Sequence, residues 1–231
     1  MRLDRMLSNA HAGTRSQVKK LVKEKRVKVN GVLAKTSSMQ IDEVNDEVTL
    51  DDIPVIYEEH MYLMLHKPAG YISATEGNVP TVMDLIYEDN NGLFPCGRLD
   101  KDTEGLLLIT NDGPLAHTLL SPKHHVEKEY YVEHALDMSE DDIVRLQSGI
   151  SYNGESYKPA KVNMISPRSC TLTITEGKYH EIKFMFQAFG DKVTYLKRLR
   201  MKNLVLDESL KPGEYRYLTE EEIADLKADE Q

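Results

Sequence analysis

Four consecutive apolar residues at positions 106–109, Leu-Leu-Leu-Ile, follow a polar segment that begins at Gly97 and ends at Gly105. A short apolar run of this kind predicts a strand that is buried on both faces of its sheet. The segment before it contains Asp100, Asp102 and Thr103. The pattern therefore predicts a tight polar loop at the end of a buried strand, which is a usual construction for a catalytic site.

The rest of the chain from residue 59 alternates short strands and helices without a regular strand–helix–strand rhythm. Apolar runs predict strands at 61–65 and 130–132, and strict alternation predicts a half-buried strand at 171–175. Helices are predicted at 115–120, after Pro114, and at 180–189, before Gly190. These elements favour an α+β fold with helices flanking a mixed or antiparallel β-sheet.

The composition is typical of a globular chain that buries a core, with 40% hydrophobic and 29% charged residues. The sequence has no apolar stretch near the roughly 18 residues that cross a bilayer, and its N-terminus lacks the apolar segment of a secretory signal. Cys96 and Cys170 are too few for a disulfide scaffold or a cysteine-based zinc site. We therefore expect a cytoplasmic protein.

Charge is concentrated at the N-terminus. The first 40 residues hold ten Lys or Arg against Asp4 and Glu24, a net charge of +8 in a chain whose total is −9. Apolar spacing predicts two short helices there, followed by a hairpin that turns at Asn30-Gly31. Residues 1–58 are thus predicted to form a small basic domain, and residues 59–231 a second one. A basic helix face indicates contact with nucleic acid, although a solvated charged face explains the charge alone equally well.

The N-terminal pattern, from Arg2-Leu3-Asp4 through Val27-Lys28-Val29-Asn30-Gly31, resembles the ribosomal-protein-S4-type RNA-binding domain. The remainder resembles the RsuA/RluB-type ribosomal RNA pseudouridine synthases, and more closely the RsuA side of that family, which modifies small-subunit rRNA. Five motifs stand in the family's order: Lys67-Pro68-x-Gly70-Tyr71, Pro80-Thr81-Val82, Gly97-Arg98-Leu99-Asp100, Ser121-Pro122-x-His124-His125 with Glu127-Lys128-x-Tyr130, and residues 176–183, Glu-Gly-Lys-Tyr-His-Glu-Ile-Lys.

The resemblance implies an isomerase that converts a specific uridine of 16S rRNA to pseudouridine, with no cofactor and no metal ion. Asp100 matches the essential aspartate, Lys183 the basic residue expected to pair with it, and Tyr130 the active-site tyrosine. A core position remains the alternative for Tyr130, and an ion pair with Asp102 the alternative for Arg98. The predicted RNA-binding residues are Arg98, Arg2, Arg5, Arg15, Lys19, Lys20, Lys28 and Lys67.

Two further sequence features concern the predicted RNA contacts. Phe184 stands where the last motif commonly has a further basic residue, and a basic run at Lys197, Arg198, Arg200 and Lys202 is predicted to face RNA.

From the residues alone, the loop at Asp100 is also typical of a turn stabilised by its own side chains. Alternatives are therefore a synthase acting on 23S rRNA, a non-catalytic ribosome-assembly factor and a nucleoside hydrolase, although two carboxylates so close in one loop suit hydrolysis poorly. Nothing in the sequence demands more than a monomer.

Overall fold

The computed structural model describes residues 1–10, 12–43, 45–55, 57, 60–88 and 92–228. The chain divides into two compact units, Met1–His60 and Met61–Gln231. Within the described ranges, no helix is long and apolar enough to cross a membrane.

The N-terminal unit contains two helices and a small sheet. Its elements are α1 (Leu3–Asn9), α2 (Arg15–Lys23), β1 (Val27–Val29), β2 (Val32–Leu33), β3 (Val48–Leu50) and β4 (Ile53–Pro54). The strands pair antiparallel in the order β2-β1-β3-β4. The apolar faces of both helices pack with the strands in one core, which includes Leu3, Leu7, Val18, Val22 and Val48.

Local sequence signals explain how this unit starts and turns. Thr14 and Gln17 form a capping box, in which each side chain bonds the other residue's backbone N–H at the start of α2. Asn30 and Gly31 have φ angles of 51° and 76°, and Val29 pairs with Val32 across them. Two consecutive positive φ angles define a tight hairpin turn that few residues other than Asn and Gly adopt. The predicted helices and hairpin are therefore confirmed.

The C-terminal unit is built on one large sheet. Its elements are β5 (Tyr62–Lys67), β6 (Phe94–Cys96), β7 (Glu104–Thr110), α3 (Gly113–Leu120), β8 (Lys128–His134), α4 (Glu140–Ser148), β9 (Ile150–Tyr152), β10 (Glu155–Tyr157), β11 (Lys161–Ser166), β12 (Ser169–Ile174), α5 (Glu181–Gln187), β13 (Val193–Met201), β14 (Leu204–Val205), β15 (Tyr215–Tyr217) and α6 (Glu220–Lys227). Two short 3₁₀ helices cover Val82–Leu85 and Pro122–His124.

The sheet is mixed, as the sequence predicts. Its strands follow the order β11-β12-β8-β13-β7-β5-β15, with β14 beside β13 and β6 beside β7. Strands β13 and β7 pair in parallel, and the other pairings between its strands are antiparallel. Strands β9 and β10 form a separate hairpin.

Strand β7 lies between two apolar layers. Leu107 and Ile109 pack into a core with helices α4 and α5, whereas Leu106 and Leu108 pack into a second core with α3 and α6. All four side chains are fully buried. Burying each stabilises the fold by about 1.5–3 kcal/mol, an upper estimate because unfolded chains already bury some apolar surface. The prediction that this strand is covered on both faces is confirmed.

Two sequence expectations differ from the structure. Strand β12 was expected to be half-buried, but five of its six residues are buried, and even Thr173 is only 7% exposed. The strand lies inside the sheet, between β8 and β11. Helix α5 covers Glu181–Gln187 rather than 180–189, because His180 takes a left-handed backbone conformation with φ of 50° just before it.

Candidate active site

The loop that contains Asp100 lies between β6 and β7, and its conformation depends on Gly105. This glycine has φ of +104°, and a Cβ added there would lie 2.2 Å from the carbonyl oxygen of Arg198 in the neighbouring strand β13. Only glycine permits both this backbone angle and this close approach. Gly105 therefore fixes the point at which the polar loop enters the buried strand.

Lys67, at the end of β5, holds the same loop from beneath. Its Nζ donates to the carbonyl oxygens of Thr103 at 2.6 Å, Asp100 at 3.0 Å and Lys101 at 3.3 Å, and to that of Pro68 at 3.1 Å. The side chain is fully buried. The prediction that Lys67 binds RNA is therefore wrong, because its ammonium group is enclosed and its donors already bond backbone carbonyls.

The neighbouring residues of the Lys67 motif complete this anchoring. The Ser73 hydroxyl donates to the carbonyl oxygen of Leu99 and accepts from its N–H, at 3.1 and 3.0 Å. Gly70 N–H donates to the carbonyl of Lys101 at 2.7 Å. Each bond ends on the backbone on either side of Asp100, so the motif positions the loop. Sequence reasoning identified the motif but not this structural role.

Asp100 lies in a cluster of charged side chains at the start of helix α5. Lys183 Nζ lies 2.9 Å from Asp100 Oδ2 and 2.6 Å from Asp102 Oδ1, and His180 Nε2 lies 3.5 Å from Asp100 Oδ1. The structure thus brings together the two residues that the sequence predicted to pair. It also adds His180 and Asp102, which sequence reasoning left without a role in the site, and it gives Asp102 a bond to Lys183 rather than to Arg98.

The electrostatics of this cluster follow from the lysine between two carboxylates. Burial acts to lower the pKa of Lys183, but Asp102 and Asp100 outweigh it, so the pKa lies above its ordinary value. Burial likewise acts to raise the pKa of Asp102, but the bond from Lys183 prevails and lowers it. Opposite charges at these distances favour the charged form of each partner.

Tyr130 lies in a narrow pocket beside Asp100. The pocket has a volume of about 50 Å³, and its walls include Arg98, Asp100, Tyr130, Leu196 and Lys183. Tyr130 is only 7% exposed and belongs to the main apolar core, so it both packs in the core and lines the pocket. Burial raises the pKa of its hydroxyl, and the buried guanidinium of Arg198 beneath it opposes that shift. Arg98 is exposed at the same pocket.

The other predicted RNA-binding residues lie in the N-terminal unit and differ in how free they are. Arg5, Arg15, Lys19 and Lys20 are exposed, the last with a loose contact of 3.8 Å to Glu24. The remaining two have carboxylate partners: Arg2 bonds both oxygens of the buried Asp4, and Lys28 bonds Asp52.

The second basic run does not form the RNA-facing edge that the sequence predicts. Arg198 and Lys202 are 2% and 8% exposed, and Arg200 bonds Glu127 and Glu129 at 3.0 Å each. The alternation of strand β13 turns Arg198 into the sheet interior together with Leu196.

Comparisons with known proteins identify the family. A sequence profile described as RNA pseudouridylate synthase matches residues 61–188, more than half of the chain, and an S4 domain profile matches residues 1–48. The chain belongs to the RNA pseudouridine synthase family. It is therefore an isomerase that acts on RNA, with an S4 domain at its N-terminus.

Full-length relatives agree with this assignment. The chain is 48% identical to the uncharacterized RNA pseudouridine synthase YtzG of Bacillus subtilis, over 96% of this chain and 97% of that protein. It is 41% identical to ribosomal small subunit pseudouridine synthase A of Haemophilus influenzae, over 98% and 99%. A crystal structure of a pseudouridylate synthase, 41% identical, superposes with a TM-score of 0.70 and covers 98% of this chain and 99% of that one.

Proposed function

We propose that this enzyme converts one uridine of 16S rRNA to pseudouridine and that Asp100 is the catalytic carboxylate. The observation that supports this most is the ion pair between Lys183 and Asp100 on a loop whose backbone is fixed by Lys67 and Ser73. Catalysis requires a reactive group that is held in place before the substrate arrives.

The reaction breaks the bond between ribose C1′ and uracil N1 and joins C1′ to C5 of the turned base. No atom is gained or lost, so the chemistry needs a carboxylate near the glycosidic carbon and no group donor. Lys183 places a positive charge 2.9 Å from that carboxylate and holds it in position. The Asp100 carboxylate then attacks the sugar, attacks the base or removes a proton while stabilising cationic sugar, and these three routes remain open.

Tyr130 and Arg98 have complementary roles in the proposal. The Tyr130 ring forms an apolar wall on which a uracil stacks, and its protonated hydroxyl, favoured by the raised pKa, donates a hydrogen bond. A pocket of about 50 Å³ holds one or two water molecules, so uracil enters only if the mouth widens. Exposed Arg98 lies at that mouth, where a cation helps to hold the RNA from which the uridine has been flipped out.

RNA contact outside the pocket is assigned to the N-terminal domain. We take residues 1–58 as this domain and residues 59–231 as the catalytic one. Exposed cations on a small rigid unit bind phosphates with little sequence preference, which gives affinity and position. The 16S target follows from the name of the Haemophilus influenzae relative and its 41% identity over nearly the whole chain. We expect the protein to act as a cytoplasmic monomer on rRNA or on a small-subunit assembly intermediate.

The deciding experiment incubates wild type and Asp100→Asn with unmodified 16S rRNA, small-subunit assembly particles and 23S rRNA. Pseudouridine is mapped by carbodiimide-dependent stops of reverse transcriptase. We expect one new stop in 16S rRNA with wild type and none with Asp100→Asn. Asp102→Asn is the matched control. Asp102 lies in the same loop and also bonds Lys183, but its side chain is 74% exposed. We expect this variant to retain most of the activity.

Each other outcome has a definite meaning. A stop that appears only in 23S rRNA would keep the catalytic residue and replace the target. Equal stops with wild type and Asp100→Asn would remove Asp100 from the chemistry. Tight RNA binding without any stop would contradict the proposed reaction on rRNA.

A further inference from the structure

A second cavity lies beside the catalytic pocket, and its walls are aromatic. It has a volume of about 460 Å³ and is lined by the rings of Tyr152, Tyr157, Tyr179 and Phe184. The β9–β10 hairpin provides the first two rings, the segment before α5 provides Tyr179, and α5 itself provides Phe184. Cavities of roughly 300–1,000 Å³ are the usual size for sites that bind small flat ligands.

The rings stand at angles to one another, and Tyr152 and Phe184 are both partly exposed. The Phe184 ring lies 5.8 Å from that of Tyr152 at 32° and 6.3 Å from that of Tyr179 at 60°. Tyr179 is 72% exposed, so its ring reaches the surface at the edge of this cavity. Phe184 occupies the position at which the sequence departs from the expected basic residue, so the departure replaces a charge with a ring in this cavity.

The cavity adjoins the catalytic pocket, with which it shares one lining residue. Tyr179 stacks on His180 with ring centroids 3.8 Å apart, and His180 Nε2 lies 3.5 Å from the Asp100 carboxylate. Lys178 lines both cavities. A ligand in the aromatic cavity therefore lies beside the position of the flipped uridine.

The polar groups at the rim select among possible ligands. Asn153 supplies an amide and Glu155 a carboxylate, and both are exposed. Lys178 Nζ lies 2.6 Å from Glu155 Oε1, so the rim carries a paired rather than a free cation. A paired cation offers little to an anionic headgroup, whereas the Asn153 amide matches the donors and acceptors on the edge of a base, and every base has a face that stacks on aromatic rings.

We propose that the aromatic cavity binds a second unpaired nucleobase of the substrate RNA, one that flanks the target uridine. This inference rests on the proposed function, because it places that base by reference to the uridine at Asp100. Splayed bases that stack on aromatic side chains are the usual means by which proteins recognise folded RNA. The cavity would thus help to choose which uridine reaches Asp100.

The test uses an RNA fragment that wild-type enzyme converts, with one abasic nucleotide placed in turn at each of three positions on either side of the target. Dissociation constants are measured for wild type, Phe184→Leu and Tyr152→Leu. Leucine keeps apolar volume but has no stacking face, and neither ring bonds Asp100 or Lys183. Tyr179 is left intact because it stacks on His180.

We expect one abasic position to weaken binding to wild type by about tenfold, within the 5- to 150-fold that stacking of one base provides. The same position should have no effect on RNA binding by Phe184→Leu or Tyr152→Leu. Tyr87→Leu, which removes a tyrosine that is 86% exposed and lines neither cavity, is the matched control and should behave as wild type.

Several results would overturn the inference. Equal abasic effects in wild type and both variants, each shown by circular dichroism to be folded, would exclude base binding while leaving the proposed function intact. Variant defects on assembly particles but not on free RNA would assign the cavity to a protein partner instead. Failure of wild type to convert any rRNA uridine would remove the proposed function and this inference together.

Discussion

Two groups of cations, one in each unit, have the same chemistry but opposite surroundings. In the N-terminal unit Arg5, Arg15, Lys19 and Lys20 are exposed. In the C-terminal unit Lys67, Lys128, Arg198 and Lys202 are at most 8% exposed. Exposed cations are available to phosphates, whereas buried ones need internal partners. A basic residue in this chain therefore indicates RNA contact only where its side chain is exposed.

The buried cations share one kind of partner, the backbone carbonyl. Lys128 Nζ donates to Glu176 at 2.8 Å and to Val126 at 3.2 Å, and Arg198 Nε donates to Leu106 at 2.7 Å. Lys202 bonds the carbonyls of Leu226 and Ala228, at the end of helix α6. Together with Lys67 they bond carbonyl groups in loops, at the end of helix α6 and, for Arg198, within strand β7. These side chains hold the loops around the site in place.

The largest expected effect that follows is on stability. Lys67→Met keeps the aliphatic length but leaves four buried carbonyl contacts unmade, so we expect the free energy of unfolding to fall by about 3 kcal/mol or more. Lys19→Met makes the same change at an exposed position and should cost less than about 0.5 kcal/mol. Urea denaturation followed by circular dichroism measures both, since the chain has no tryptophan. Similar losses for the two variants would mean that burial does not distinguish these lysines.

Much of the fold follows from local sequence. The four apolar residues at 106–109 predicted a strand covered on both faces, and Pro114 marked the start of helix α3. The Asn30-Gly31 dipeptide likewise predicted its hairpin turn. The same signal at Asn153-Gly154, with φ angles of 50° and 81°, was overlooked, and with it the hairpin that provides two rings of the aromatic cavity.

The site was only partly predictable, because burial depends on contacts between distant segments. The pairing of Asp100 with Lys183 was expected from family resemblance, since residues 83 positions apart show no local signal of contact. Lys67 follows an apolar run and precedes a proline, a pattern that fits a strand end at the surface as well as one inside. For Arg198 the alternation of β13 could have predicted burial, since Arg198 shares the inward face of the strand with Leu196. The four cations at 197–202 instead favoured an exposed basic edge.

The exposed cations give a second, smaller effect, on RNA affinity. Replacing both Lys19 and Lys20 by Gln removes two phosphate contacts, so the dependence of log affinity on log salt should become shallower by about 0.7–0.9 per residue. Stability should not change. Filter binding across a salt series measures the slope.

Glu24→Gln provides a control of opposite sign. It neutralises an exposed carboxylate at the end of the same helix, near Lys20, so RNA affinity should increase slightly. An unchanged slope for the double variant would separate helix α2 from the RNA and leave the phosphate contacts to other cations.

The smallest expected effect is a change of stability with pH that only the buried lysines produce. Burial lowers the pKa of Lys67 and of Lys128 from 10.5 to about 8. Above pH 8 the unfolded chain therefore binds more protons at these sites than the folded protein, and the free energy of unfolding rises with pH. The rise should end near pH 9, where buried Cys96 and Cys170, with pKa values raised from 9 to about 11, act in the opposite direction.

Urea denaturation at pH 7.5, 8, 8.5 and 9 should thus show an increase of about 1 kcal/mol in the free energy of unfolding. Lys19→Met should retain the increase, because Lys19 is exposed and burial does not act on its ammonium group. Lys128→Met should reduce it by about half, and it serves better than Lys67→Met if the latter unfolds too easily. No increase in wild type would mean that the carbonyl oxygens hold both ammonium groups charged despite burial. Hydrogen bonding, rather than desolvation, would then determine the protonation of these lysines. The buried cations of the C-terminal unit would differ from the exposed cations of the N-terminal unit in their partners but not in their charge.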